Sequence, residues 1–265
     1  MPVECHFNLL QVEQNEFHEV DYQVMRHVFD IHNTFGRFCD EKIYQDELAE
    51  RCRNDNLHVN REAHIRVWHK HFSKSYYLDL LINAGIIYEL KAVSKLAGQH
   101  QMQLINYLLL TNVPHGKLIN YRPYSVETRF VSSRLKLSDR KATVIDDSSL
   151  NEKDIIAQEL RELVLMLLND WGAFLEVELY REAMLALLSC SMGVQSVEIS
   201  HGSRMVGNQK MCILKNNAAW HISSIRSHQV TYEQHLFKLF MHTKLDHIHW
   251  INLNGNSVTM KTLTK

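Results

Sequence analysis

With 265 residues, 45% of them hydrophobic and 22% charged, the chain has the makeup of a soluble globular protein of one large domain or two ordinary ones. A formal net charge of −1 excludes a protein that coats nucleic acid by bulk electrostatics, though not one with a local basic groove. No run approaches the length of a bilayer span, and Met1-Pro2-Val3-Glu4-Cys5-His6 has neither a basic nor an apolar signal region, so a cytoplasmic location is the default expectation.

Five cysteines with no close pair suggest neither a zinc knuckle nor a disulfide framework. Residues 17–52 read as helix, with one apolar stripe of Val24, Val28, Phe29 and Ile31 and a second of Ile43, Leu48 and Cys52 after a break at Phe35-Gly36. Residues 57–72 alternate like a strand through Val59, Ile65 and Val67. Next come two apolar runs around Asn83-Ala84-Gly85, the pattern of a β-hairpin of buried strands. A helix over Gly98 to Leu110 and two short strands at Leu118-Ile119-Asn120-Tyr121 and Arg129-Phe130-Val131 complete an α/β domain.

The hairpin carries the chemistry. A turn centred on Ala84 sets Asp79 opposite Glu89, and alternation along the strand places Glu89 and Lys91 on one face. Two acids and a lysine thus share strands otherwise made of Leu, Ile, Tyr and Val. Charges in such surroundings are costly unless they pair or hold a metal ion. That pattern points to a divalent-metal hydrolase site.

From Ser132 to Asp154 the composition turns polar and charged, which predicts a linker. Helical periodicity returns from Ile155 to about Leu188, and the second half then echoes the first. Asn33-Thr34-Phe35-Gly36 with Tyr44 aligns with Asn169-Asp170-Trp171-Gly172 and Tyr180. Thr111 to Asn120 aligns with Thr243 to Asn252. A duplication follows as the expectation, with domains at residues 1–132 and 155–265 and a linker over 133–154. The copies are chemically unequal. Glu41 falls on Val177, Asp79 on about Cys212, Glu89 to Lys91 near His221 to Ser224, Gln103 on His235 and Tyr107 on Leu239. The second copy reads as a scaffold that lost its site.

Several segments match a known family: Ile31-His32-Asn33 with Gly36, Glu41-Lys42-Ile43-Tyr44, the Asp79 strand, Glu89-Leu90-Lys91-Ala92-Val93, and His100 with Gln103 to Leu108. Residues 20–132 resemble the GxxExxY proteins, a branch related to the PD-(D/E)XK nucleases, and the Gln103 to Tyr107 spacing resembles the Gln-xxx-Tyr motif of RecB-type nucleases. The resemblance departs where the glycine that names the motif is Phe38, and where Leu78 stands in place of a proline. It implies two tandem restriction-endonuclease-like α/β domains, each a mixed sheet flanked by helices, the second degenerate. It also implies that Glu41, Asp79 and Glu89, with the Leu90 carbonyl, hold Mg²⁺ or Mn²⁺. Lys91 would then orient a water and neutralise the phosphate, with Gln103 and Tyr107 beside them on one helix face. The same face is equally what a helix packing on a core presents.

The expected activity is nucleic-acid cleavage, with DNA preferred to RNA by family analogy alone. The second domain is expected to support folding, to form a homodimer or larger complex, or to bind substrate. The rival reading is a non-catalytic subunit that binds nucleic acid or protein in a larger complex such as a phage-defence assembly. His242, His247 and His249 have no spacing suited to a zinc site, and Trp171, Trp220 and Trp250 read as core or interface rather than a stacking platform.

Overall fold

A computed structural model describes residues 3–265. The chain divides into two compact units, one of residues up to Trp68 with Ser73–Lys136, the other of His69–Phe72 with Leu137–Lys265. Each contains a six-stranded mixed sheet flanked by helices.

The N-terminal unit runs β1 (Val3–Cys5), α1 (Gln14–Phe35), α2 (Glu41–Asn54), β2 (Val59–His69), β3 (Phe72–Ile82), β4 (Ile86–Lys91), α3 (Gly98–Thr111), β5 (His115–Asn120) and β6 (Glu127–Ser132), with the strands in that spatial order. Helix α1 buries Phe17, Val20, Val24, Val28 and Ile31, a stripe of helical period. It ends at Gly36, whose positive φ of 69° lets its N–H bond the His32 carbonyl. Two stripe assignments are corrected: Phe29 and Ile43 are exposed, and Tyr44 takes the inward position on α2. Residues next to a stripe lie about 100° around the helix and miss the core. The Tyr44 hydroxyl donates to the Gly36 carbonyl at 2.9 Å, and its ring stacks on Tyr121 at 4.2 Å.

The hairpin forms in the expected register, with Leu80 opposite Tyr88, Leu81 opposite Ile87 and Ile82 opposite Ile86. Positive φ at both Asn83 and Ala84 makes the turn, closed by the Gly85 N–H on the Ile82 carbonyl at 3.1 Å, and three residues lie between the paired Ile82 and Ile86. At Gly85 a Cβ would lie 2.3 Å from Val12, so only glycine fits. Strand β4 then pairs β5 in parallel, and α3 makes the crossover such a pairing requires. Ile86, Tyr88 and Leu90 pack into the α1–α2 core. Glu89, on the alternate position, faces the other way.

The C-terminal unit runs α4 (Leu137–Lys141), β7 (Val144–Ser149), α5 (Ile155–Trp171), α6 (Val177–Leu187), β8 (Ser191–His201), β9 (Arg204–Leu214), β10 (Ala218–Ser223), α7 (Gln229–Met241), β11 (His247–Asn254) and β12 (Ser257–Thr264). Its strand order is β7-β12-β11-β10-β9-β8. Strands β8 to β12 follow the order of β2 to β6, including the parallel pair β10–β11 joined through α7. The sixth strand differs: β1 extends the sheet beyond β2, while β7 extends it beyond β12. Residues 133–154 are therefore not a linker throughout, since they hold α4 and β7. An edge strand with exposed side chains is held by backbone bonds, so its polar composition does not reveal it.

The matched residues make matched bonds. Gly172 has a φ of 73° and bonds the Leu168 carbonyl, and Tyr180 donates to the Gly172 carbonyl. The Thr111 hydroxyl accepts the Val113 N–H and the Thr243 hydroxyl the Leu245 N–H, each two residues on. The Asn120 amide bonds both the N–H and the carbonyl of Val93, and Asn252 does the same to Ile225. Trp171, Trp220 and Trp250 are all buried. Among the described residues no helix is long and apolar enough to cross a membrane.

Candidate active site

The sequence-predicted acids and lysine meet where β3 and β4 part. Pairing ends at Leu80 and Tyr88, and beyond it the Asp79 carboxylate, not its backbone, receives the Leu90 N–H at 2.7 Å. Glu89 is 1% exposed, and its Oε1 accepts from Lys91 Nζ at 2.6 Å. Its other oxygen, Oε2, is buried with no hydrogen-bond partner. Lys91 Nζ also lies 3.7 Å from Glu41 Oε1, while Glu41 Oε2 accepts from the Ala92 N–H at 3.2 Å. Lys91 thus reaches toward an acid from α2 and one from β4.

Burial dominates the electrostatics. Desolvation, then the Asp79 charge, pushes Glu89 up to about 8, although Lys91 pulls it down. Asp79 rises to about 6, again chiefly by desolvation, with the Leu90 N–H and Lys91 opposing and Glu41 adding to the rise. Burial would lower the Lys91 ammonium, but the Glu89 charge and hydrogen bond, with Asp79 and Glu41, leave it raised. Burial thus raises both acids toward neutrality while their charges keep Lys91 protonated.

Among the described residues no group of three or more His, Cys, Asp or Glu is arranged to hold a metal ion. The partner of Glu89 Oε1 in this structure is the Lys91 ammonium, and one Glu41 oxygen is taken by the Ala92 N–H. Gln103 donates to the Tyr107 hydroxyl at 2.9 Å, and the Tyr107 ring meets Tyr76 edge-on at 6.0 Å. His100 closes the start of α3 by accepting the Ala97 N–H, and His32 bonds the Pro123 carbonyl.

Residues not singled out in the sequence position the cluster. Gln45 is buried and donates to the Asp79 carbonyl at 2.8 Å. It lies one turn from Glu41 on α2, so helical spacing was the available signal. Arg122 bonds the carbonyls of Ala92 and Cys39, bracing the strand beyond Lys91. Asn120 clips Val93, as Asn252 clips Ile225 in the C-terminal unit.

The corresponding positions of the C-terminal unit are chemically different. Trp220 opposite Cys212 repeats Tyr88 opposite Leu80, so Asp79 corresponds to Met211, one residue before the position expected from sequence. His221 stands for Glu89 and bonds the Tyr232 hydroxyl at 2.6 Å. Ser223 stands for Lys91 and donates to Asn252, while Trp250 donates to it. His242 bonds the Ser200 carbonyl, whereas His249 is buried 3.4 Å from Asp154 and bonds Thr262. The histidines do not converge.

No curated protein matches the chain. Residues 18–131 match the family model of the PD-(D/E)XK nuclease superfamily, a span that holds Glu41, Asp79, Glu89, Lys91, Gln103 and Tyr107.

Proposed function

We propose that the N-terminal unit is a divalent-cation-dependent nuclease that hydrolyses phosphodiester bonds in nucleic acid, with DNA preferred to RNA by family analogy. The observation that carries this reading is Glu89 Oε2, a buried carboxylate oxygen without a hydrogen-bond partner, set beside Asp79 and Lys91. A buried carboxylate oxygen left unsatisfied is costly even when its twin is paired with Lys91, and a cation removes that cost. The donors present suit a hard ion: carboxylates of Glu41, Asp79 and Glu89 and the carbonyl of Leu90 would hold Mg²⁺ or Mn²⁺. Such an ion, when bound, lowers the pKa of water and offsets charge on the scissile phosphate.

The chain's own groups have distinct tasks. Lys91, held charged by its acids, neutralises a phosphate oxygen and orients a water. The Leu90 N–H, Gln45 and Asn120 fix the strand positions of Asp79 and Lys91. In this reading Gln103 and Tyr107, bonded to each other on α3, would contact the site or the substrate. The C-terminal unit is a non-catalytic copy, a reading supported by the shared strand order and the matched Gly, Tyr, Thr and Asn bonds, with Val177, Met211, His221 and Ser223 at the catalytic positions. It serves folding, self-association or substrate binding.

The test is cleavage of plasmid and oligonucleotide by the purified chain with Mg²⁺ or Mn²⁺. Asp79→Ala and Lys91→Ala are each expected to lower the rate at least about 100-fold. Undiminished cutting by Asp79→Ala, or wild-type protein that binds but never cuts, would refute the proposal.

A further inference from the structure

Beside the acid cluster lies a set of side chains that the catalytic reading leaves unused. Phe38 and Tyr124 are 74% and 88% exposed, and unlike the other exposed aromatic rings they share one cation. The Arg37 guanidinium sits 4.8 Å from the Phe38 ring centre and 4.0 Å from that of Tyr124, so one cation ties both rings into a single surface. Phe38 occupies the motif position where the resembled family has glycine, three residues before Glu41.

A short relay of bonds connects this surface to the cluster. Arg37 donates to the Arg122 carbonyl at 3.5 Å, Arg122 donates to the Ala92 carbonyl at 3.1 Å, and the Ala92 N–H donates to Glu41. The aromatic rings are therefore on the α1–α2 and β5–β6 loops that border the site, and basic groups lie between them and Lys91.

We propose that Phe38, Tyr124 and Arg37 form a stacking platform for unpaired nucleotides, which feeds single-stranded nucleic acid toward the carboxylate cluster. Every base has a face that stacks on an exposed ring, whereas a blunt duplex keeps its bases covered. The guanidinium and Arg122 supply positive charge for the phosphates between stacked bases. This deepens the nuclease reading and takes its ligand class from it.

The experiment titrates the full chain, in EDTA, into fluorescein-labelled oligo-dT, oligo-rU and a blunt DNA duplex, each about 15 nucleotides long, with anisotropy as the readout. Wild type is expected to bind a single strand more tightly than the duplex. Phe38→Ala/Tyr124→Ala is expected to lose about tenfold or more in single-strand affinity, and Phe38→Tyr/Tyr124→Phe to retain it. Thermal melts check that the exposed substitutions leave the fold intact. The aromatic-retaining pair separates ring stacking from loop damage.

Single-strand affinity unchanged in the double alanine variant, or a wild-type preference for duplex, overturns the platform. The two readings fail separately. Ring-dependent binding without any metal-dependent cutting keeps the platform and removes the nuclease. Cutting that depends on Asp79, with binding indifferent to the rings, does the reverse.

Discussion

Glu89 concentrates the physics of the site, because burial keeps its carboxyl protonated in a range where the unfolded chain would have released the proton. Its value lies near 8 in the fold against an ordinary 4.5, so the folded state binds more protons throughout that window. Stability drawn from this group is complete in acid and declines as pH rises from about 4.5 through about 8. Glu89→Gln removes the titration while preserving shape. Its melting temperature relative to wild type should climb between about pH 5 and about pH 8.5. A constant difference across that range would place the proton elsewhere. The same protons oppose a cation, since a ligating carboxylate must be ionised. The acid limb of cleavage should therefore fall between about 6 and 8, the values for Asp79 and Glu89, and move to lower pH as Mn²⁺ is raised. A limb that ignores Mn²⁺ would exclude competition between proton and metal at these acids.

At the scale of elements, much of this architecture was legible because it rests on local rules. The Asn83-Ala84-Gly85 turn sets the hairpin register by its backbone angles, and helical stripes mark α1 and α5 by period alone. What escaped depends on non-local pairing. Strand β7 is an exposed edge held by β12, more than a hundred residues later, and its Val-Ile-Asp-Asp-Ser-Ser sequence carries no trace of that partner. Asp79 and Glu89 were legible from the hairpin. Gln45 shares a helix face with Glu41, but its partner, like that of Arg122, is a backbone carbonyl far along the chain, which spacing does not name. The shared strand order of the two units offers a controlled comparison of one such device. Asn120 and Asn252 each clip the backbone just past β4 and β10, so alanine at either should cost about 1–3 kcal/mol in urea unfolding. Only Asn120→Ala should also lower cleavage per folded molecule, because Val93 lies two residues beyond Lys91. Equal loss from Asn252→Ala would mean that the C-terminal unit has a catalytic part after all.

Across the whole molecule, near-neutrality constrains how nucleic acid is held. With 29 Lys and Arg against 30 Asp and Glu, there is no broad positive field to draw in a polyanion, so binding must come from a few placed cations and from stacking. In the N-terminal unit the cations beside the proposed path are Arg37, Arg122 and Lys91, and part of the Lys91 charge is already spent on Glu89. Each phosphate neutralised on a single strand contributes roughly −0.7 to the slope of log affinity against log salt. Two or three such contacts give a slope of about −1.5 to −2, shallow for a nucleic-acid-binding protein. Single-strand affinity should then survive moderate salt, while Phe38→Ala/Tyr124→Ala lowers affinity at every salt concentration without altering the slope, since stacking releases no counterions. Arg37→Gln, by contrast, should flatten the slope by about 0.7. A measured slope steeper than about −4 would demand more phosphate contacts than these cations can make. Substrate would then be held chiefly by another surface, with the exposed rings left as bystanders.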